Sequence, residues 1–309
     1  MSYTDTPGIV TSDNLDLFKR QETLEFVDTR TFEQMDFLDA VVPRNISILD
    51  PRFQMPKQSV LPVFRIDEGQ TVVRQKMGFY DTGTSLYGYR GAVEISETAK
   101  VRGDYDMQWQ FSMEGVANGM TAARDTEILS ALYTGAGNSV DADTTWDDEG
   151  GKNIIGDVAA AVRKIFKNKQ TNITSAELSN MIIYYPAHLM MDVDIPEMFQ
   201  DNGTSGGNMG YLIPNASQAD YLRGKRFALK PTTRLNEETF ALGVIRSPKT
   251  AVHFSYTGPE MPRIKEYENI EEGTSGYMLS QWFRTHIHGQ SYGVSTSDRV
   301  FIINGVASA

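Results

Sequence analysis

The stretch DYDMQWQFSMEGVANGMTAARDTEILSALYTGAG, residues 104–137, decides how the rest of the chain is read. Phe111, Val116, Met120, Ala123 and Leu132 fall near one face from Asp104 to Tyr133, joined by Ile128 and Leu129. That spacing predicts one long helix. Gly115 and Gly119 each weaken it by about 1 kcal/mol relative to alanine, which points to close packing at that level. Gly135-Ala-Gly137 ends the run as a C-cap.

Downstream, Asn138–Gly151 reads as a polar, acidic loop. Ile154–Lys169 is a second helix with Ile155, Val158, Val162 and Phe166 as its apolar stripe. Met181–Tyr185 is a strand, Pro186–Val193 a short helix, and Asp201–Gly210 a glycine-rich loop. Leu222–Leu229 and Phe240–Ile245 read as strands, and the tail is β-rich at Tyr277–Phe283, Thr285–His288 and Val300–Ile303.

Upstream, Val60–Phe64, Thr71–Val73 and the alternating Ala92–Val101 are strand-like. Between them Gly78, Gly83, Gly88 and Gly91 are interleaved with Tyr80, Tyr87 and Tyr89. The simplest arrangement is a two-stranded ribbon over Leu61–Val101 with its tip at Gly78–Gly91. Two strands bury too little to stand alone in water, so the ribbon needs a partner surface. Residues 1–45 carry nine Asp/Glu against four Lys/Arg and form an acidic arm. Within it Thr31 and Gln34 make a capping box, and Phe32, Met35, Leu38 and Val42 follow at helical spacing until Pro43 stops the run. Helices and strands are partly segregated, so the class is α+β.

The chain has 309 residues, 40% of them apolar, enough for a substantial core. Its net charge of −11 argues against a protein built mainly to grip phosphate backbones. With no cysteine, thiolate chemistry and cysteine-ligated metals are excluded. The start, MSYTDTPGIV, lacks the basic and apolar regions of a secretory signal, and no apolar run approaches the ~20 residues of a membrane helix. A soluble protein made in a cytoplasm is expected, with no membrane partner.

Catalytic patterns fail on their own requirements. Gly203-Thr-Ser205-Gly-Gly207 matches the nucleophile-elbow pattern of a serine hydrolase, but neither flank offers the strand before and the helix after that an elbow needs. Asp141, Asp143, Asp147, Asp148 and Glu149 resemble a calcium loop, yet the sixth and twelfth positions counted from Asp141 are Trp146 and Lys152 rather than Gly and Glu. His286 and His288 share a strand face, but a zinc site wants a third ligand. Asp192, Asp194 and Glu197 read as a turn and a helix cap. No catalytic, cofactor or metal residue is assigned, and no enzymatic activity is expected. An arm, a ribbon and a glycine-rich loop together point to a protein that assembles through edge pairing and wrapping.

The order of these parts resembles the major capsid protein of tailed double-stranded DNA viruses, with the Hong-Kong-97-type fold shared by encapsulin shells. Thr31–Pro43 followed by Ile46–Leu49 resembles the end of that family's N-terminal arm. Leu61–Val101 is similar to its E-loop, returning through Val101-Arg-Gly-Asp-Tyr105. Met107–Gly137 is similar to the P-domain spine helix with its closing Gly-x-Gly. Ile154–Val193, with the Tyr185-Pro186 junction, and Tyr211–Ile245 resemble the A-domain, and Arg284–Val306 resembles the closing P-domain strands.

The resemblance implies a division into arm (1–50), E-loop (51–103), spine helix and following loop (104–150), A-domain (151–250) and closing strands (251–309). It implies pentamers and hexamers that close into an icosahedral shell around packaged double-stranded DNA, held without sequence specificity. The expected location is the virion capsid, assembled in the host cytoplasm, with scaffold, portal and minor capsid proteins as further partners. An encapsulin-type compartment is the alternative. The E-loop residues implied at the subunit boundary are Val63, Phe64, Val72, Val73, Lys76, Tyr80, Tyr87, Tyr89, Val93 and Ile95, whose apolar members would be buried mainly on the adjacent subunit. Asn202, Gly203, Gly206 and Gly207 are implied at the capsomer axis. Some members link an E-loop lysine to a P-domain asparagine with the help of a glutamate. Lys76 stands near the tip, but no Asn and Glu pair appears around Gly276–Arg284, so no such crosslink is expected.

Overall fold

A computed structural model of the chain describes residues 35–49, 52–56, 79–83, 85–96, 98, 102, 105–148, 152–167, 173, 175–194, 222–223, 227–256, 263–269, 274–288 and 296–308. Helix α1, Tyr105–Thr134, runs 30 residues, about 45 Å at 1.5 Å per residue. Two sheets pack along it, and each buries a different part of its surface.

The first sheet uses strands β5 (Ala136–Asp141), β6 (Met181–Pro186), β7 (Ala228–Thr232), β8 (Phe240–Ile245) and β12 (Ser297–Asn304) in the order β5-β12-β8-β6-β7. β6 and β8 are buried at every position because both faces of the sheet are covered. The two-residue period of a strand sorts their side chains. Met181, Ile183, Tyr185, Ala241, Ile245, Phe301 and Ile303 pack with Ile154, Val158, Ala161 and Ile165 of helix α2, Ile154–Lys167. Ile182, Tyr184, Leu242, Val244, Val300 and Ile302 pack with Ile128 and Leu132 of α1 and with Met35, Phe37, Ala40 and Val41.

The second sheet joins β1 (Val42–Ile46), β9 (Ala251–Tyr256), β11 (Thr274–Ile287) and β10 (Arg263–Asn269) in that order. β4, Tyr87–Ser96, pairs antiparallel with β11 over ten residues. Beneath β4 and β11 lie Met113, Ala117 and Met120 of α1. The helix is therefore a spine between two cores. Its two halves bury different faces, and that blurs the single apolar stripe expected from sequence. Phe111, placed on the stripe, is 67% exposed.

The structure revises several sequence expectations. Residues 31–34 lie outside the described residues, and the rest of the predicted arm helix is a 3-10 turn at Leu38–Ala40 followed by β1. Pro43 sits inside β1, which is tolerable because, among the described residues, β1 is an edge strand paired only with β9. The stripe of α2 is centred slightly differently: Val158 is buried as expected together with Ile154, Ala161 and Ile165, Ile155 and Val162 pack at its margin, and Phe166 is half exposed. The first part of the acidic loop is strand β5. Gly137 does not cap the helix; a side chain there would meet the backbone of Ser297 at 2.6 Å. The strand expected at Leu222–Leu229 lies at Ala228–Thr232, and β9 and β10 were not foreseen.

The loop after β5 is pinned by one buried acid. Asp157, in the first turn of α2, accepts the Trp146 indole N–H at 2.9 Å and the Asp143 amide at 3.1 Å. Trp146 is fully buried. Leaving the buried indole donor unsatisfied costs about 1–3 kcal/mol, and the part-buried Asp143 amide adds about 1, so Asp157→Ala is expected to lower stability by roughly 2–4 kcal/mol. Urea unfolding followed by tryptophan fluorescence measures it, and an unchanged midpoint contradicts this role.

Candidate assembly surfaces

Strands β2 (Arg52–Pro56) and β3 (Phe79–Gly83) pair antiparallel and form a sheet of their own. Among the described residues no third strand joins them. The register sets Phe53 opposite Thr82 and Met55 opposite Tyr80. The segment connecting the two strands, residues 57–78, lies outside the described residues. It contains Val63, Phe64, Val72, Val73 and Lys76.

This pairing moves the ribbon. Its described part is 52–56 with 79–83, so Gly78–Gly91 is not a tip. The stretch runs instead along β3 and into β4. Two of its glycines accept close neighbours: a side chain at Gly88 would meet the Trp282 ring at 3.1 Å, and one at Gly91 would meet Val116 at 3.1 Å. Val93 and Ile95 are likewise corrected. They are 6% and 3% exposed within a single chain, in the core beneath β4, so no adjacent subunit is needed to bury them. The alternation of Ala92–Val101 predicts a half-buried strand, but it carries no information on which surface does the burying.

Tyr89 stacks on Phe283 with ring centroids 4.1 Å apart and planes 3° from parallel. Tyr87 is half exposed under the Arg284 guanidinium, 4.6 Å from its ring centroid, and Arg284 donates to the Ser85 carbonyl at 3.0 Å. Tyr80 lies on β3.

Beside β4 the surface opens into a groove of about 580 Å³. One wall is β4 from Tyr89 to Glu94; the floor is α1, through Ser112, Gly115, Val116, Gly119, Met120 and Ala123. Side chains built at Gly115 and Gly119 would meet nothing within 4 Å. Among the described residues, therefore, nothing packs against these two positions, where the sequence points to close packing. β4 pairs with β11 on one side, and no strand lies on its other side among the described residues. An extended segment laid into the groove would meet backbone along one wall and, below, a helix face lowered at Gly115 and Gly119 and apolar at Val116, Met120 and Ala123.

The remaining candidates are not brought together into a reaction centre. Asn202, Gly203, Ser205, Gly206 and Gly207 lie outside the described residues. His286 and His288 meet edge to face at 5.3 Å between ring centroids. Burial, then His288 and Arg284, push His286 down to about 4. Among the described residues no third His, Asp or Glu joins them. The acids after β5 hold the chain locally: Asp141 accepts from Asn304 at 3.0 Å, and Asp147 accepts from the Ser308 hydroxyl and, at 3.1 Å, its amide. The Ser308 hydroxyl, then the Thr145 side chain, hold Asp147 down at about 2. No helix among the described residues is long and apolar enough to cross a membrane.

No known family model matches the chain, and no curated protein matches its sequence. Solved structures do match its fold. The virus-like particle from Pyrococcus furiosus superposes with a TM-score of 0.59 at 8% identity, covering 92% of this chain and 98% of that one. The fold is the Hong-Kong-97 type. The capsid of Myoviridae phage XM1 shares it at a TM-score of 0.55 and 9% identity, over 88% of this chain and 92% of that one. So does the holo-SrpI encapsulin complex from Synechococcus elongatus, at 0.53 and 10%, over 87% and 86%. At such identities the likeness lies in the path of the backbone. The Hong-Kong-97-type fold thus spans most of the chain.

Proposed function

We propose that this chain is the subunit of a closed protein shell, the major capsid protein of a tailed virus. The supporting observation is that chains named for a virus-like particle and a phage capsid share this fold over 92% and 88% of this chain, at almost equal length. Pentamers and hexamers of the chain close an icosahedral shell around packaged double-stranded DNA in the virion, assembled in the host cytoplasm with scaffold, portal and minor capsid proteins. The net charge of −11 suits a wall that does not bind its genome. In this reading the arm, E-loop, spine helix, A-domain and closing strands follow the division at residues 50, 103, 150 and 250. The part of the E-loop that leaves the body is the ribbon over 52–83, with Tyr80 and the apolar residues and Lys76 of 57–78 reaching a neighbour. The groove between β4 and α1 receives an extended segment of an adjacent copy, and Asn202, Gly203, Gly206 and Gly207 line the capsomer axis. The subunit has no catalytic task.

Sedimentation of the purified full chain tests this reading. Particles of megadalton size are expected, and a chain that stays at 34.5 kDa over a wide concentration range contradicts it. An encapsulin-type compartment is the second reading, supported by the shared fold of the Synechococcus elongatus shell. The contents of particles isolated from their natural source separate the two: nuclease-protected DNA supports the capsid, and an enclosed protein cargo supports the compartment.

A further inference from the structure

Three parts of the chain meet at Asp125. This carboxylate on α1 is fully buried. It accepts the backbone N–H groups of Asp36 and Phe37, each at 3.3 Å, and lies 3.6 Å from the Arg234 guanidinium. Around it the same segment is tied to β7 and the turn that follows. The Thr232 hydroxyl donates to Asp36 at 2.6 Å, and Lys230 pairs with Asp39. Phe37, itself fully buried, packs its ring 4.8 Å from that of Tyr184 on β6. The charged and titratable groups that act on Asp125 are therefore Asp36 from the segment, Arg234 from the turn after β7, and the Tyr184 phenol on β6, with the Lys230–Asp39 pair and Arg246 beyond them.

We propose that Asp125 is a pH-dependent latch: it holds the root of the N-terminal segment, residues 35–41, against α1 and the 230–235 turn, and it grips more tightly in mild acid than at neutral pH. The physical reason is an unequal balance. Taking a carboxylate out of water is costly, and two backbone donors with a partly exposed arginine offset only part of that cost. Burial pushes Asp125 up to about 6, against the pull of the two amides and Arg234 and with a further push from Asp36. When the segment lifts away, Asp125 meets water and returns toward its ordinary 3.8. The closed latch thus binds the proton more tightly than the open one. Its proton-linked stability is complete below about 3.8 and is lost as the pH rises through about 6. From pH 7 to pH 5 the opening equilibrium shifts about tenfold toward the closed form. This latch stands independently of the shell reading.

Hydrogen exchange of the full chain at pH 7 and pH 5, corrected for intrinsic exchange, reads the latch at the amides of Asp36 and Phe37. The amides of β8 serve as an internal reference for global unfolding. Protection at Asp36 and Phe37 is expected to rise about tenfold at pH 5 relative to the reference. Asp125→Asn, which cannot ionise, is expected to abolish that rise. Arg234→Gln, which removes the cation favouring the ionised form, is expected to extend the rise to higher pH. Protection that is flat or falls toward pH 5 in the unaltered chain overturns the proposal. So does a rise that persists in Asp125→Asn, since another group would then be responsible.

Discussion

Alanine in place of Gly243 is expected to destabilise the chain by at least about 2–3 kcal/mol, at the upper end of what overpacking a core costs. Gly243 is at the centre of β8, directly across the ladder from Phe301. The Phe301 ring, fully buried, lies over the glycine, so an added Cβ would sit 2.0 Å from its nearest ring carbon. Neither side can yield easily. β8 is hydrogen-bonded between β12 and β6, and the ring is enclosed by Ile154, Val158 and Ala161 of α2. A double-mutant cycle separates this clash from a general weakness of the strand. Phe301→Leu alone leaves a cavity and lowers stability; in the Gly243→Ala background it relieves the clash and recovers part of the loss. An unchanged melting temperature for Gly243→Ala, or strictly additive effects, contradicts the packing described.

Leucine at both Gly115 and Gly119 is expected to leave the subunit folded and to prevent closed shells. Both positions are exposed in the single chain, and among the described residues the added side chains meet nothing. Alanine at the same positions is expected to stabilise the isolated subunit by about 0.5–1 kcal/mol each, since glycine in a helix interior is costly. The same alanines are expected to weaken assembly. The opposite signs carry the test, because a purely structural role for the glycines moves stability and assembly together. Thermal unfolding measures the first, and sedimentation velocity the second. Leucine variants that assemble as readily as the parent chain show that the groove receives nothing.

The spine helix was legible because its ends are punctuated: Tyr105–Thr134 agrees within a residue with the expected Asp104–Tyr133. β6 and β8 were legible as continuous apolar runs between polar turns. What the sequence hid is relational. Val93 and Ile95 alternate as a strand should, but only the pairing of β4 with β11 shows that α1 of the same chain buries them. Thr31 and Gln34 have the chemistry of a helix start, yet the chain from Val42 to Ile46 gains more from pairing with β9 than a short helix would offer. Gly115 and Gly119 look in sequence like packing glycines, and only coordinates distinguish a filled space from an empty one. Asp125 had no local signal at all, because its partners stand 88 to 109 residues away in sequence.

Electron microscopy of the purified full chain distinguishes a shell subunit from a chain that does not assemble. The account predicts closed icosahedral particles in which each subunit carries the long helix and both sheets as described, with an extended segment of a neighbouring copy lying in the groove between β4 and α1. Monomers or open, irregular aggregates under all conditions, or closed particles in which that groove faces bulk solvent, would contradict it.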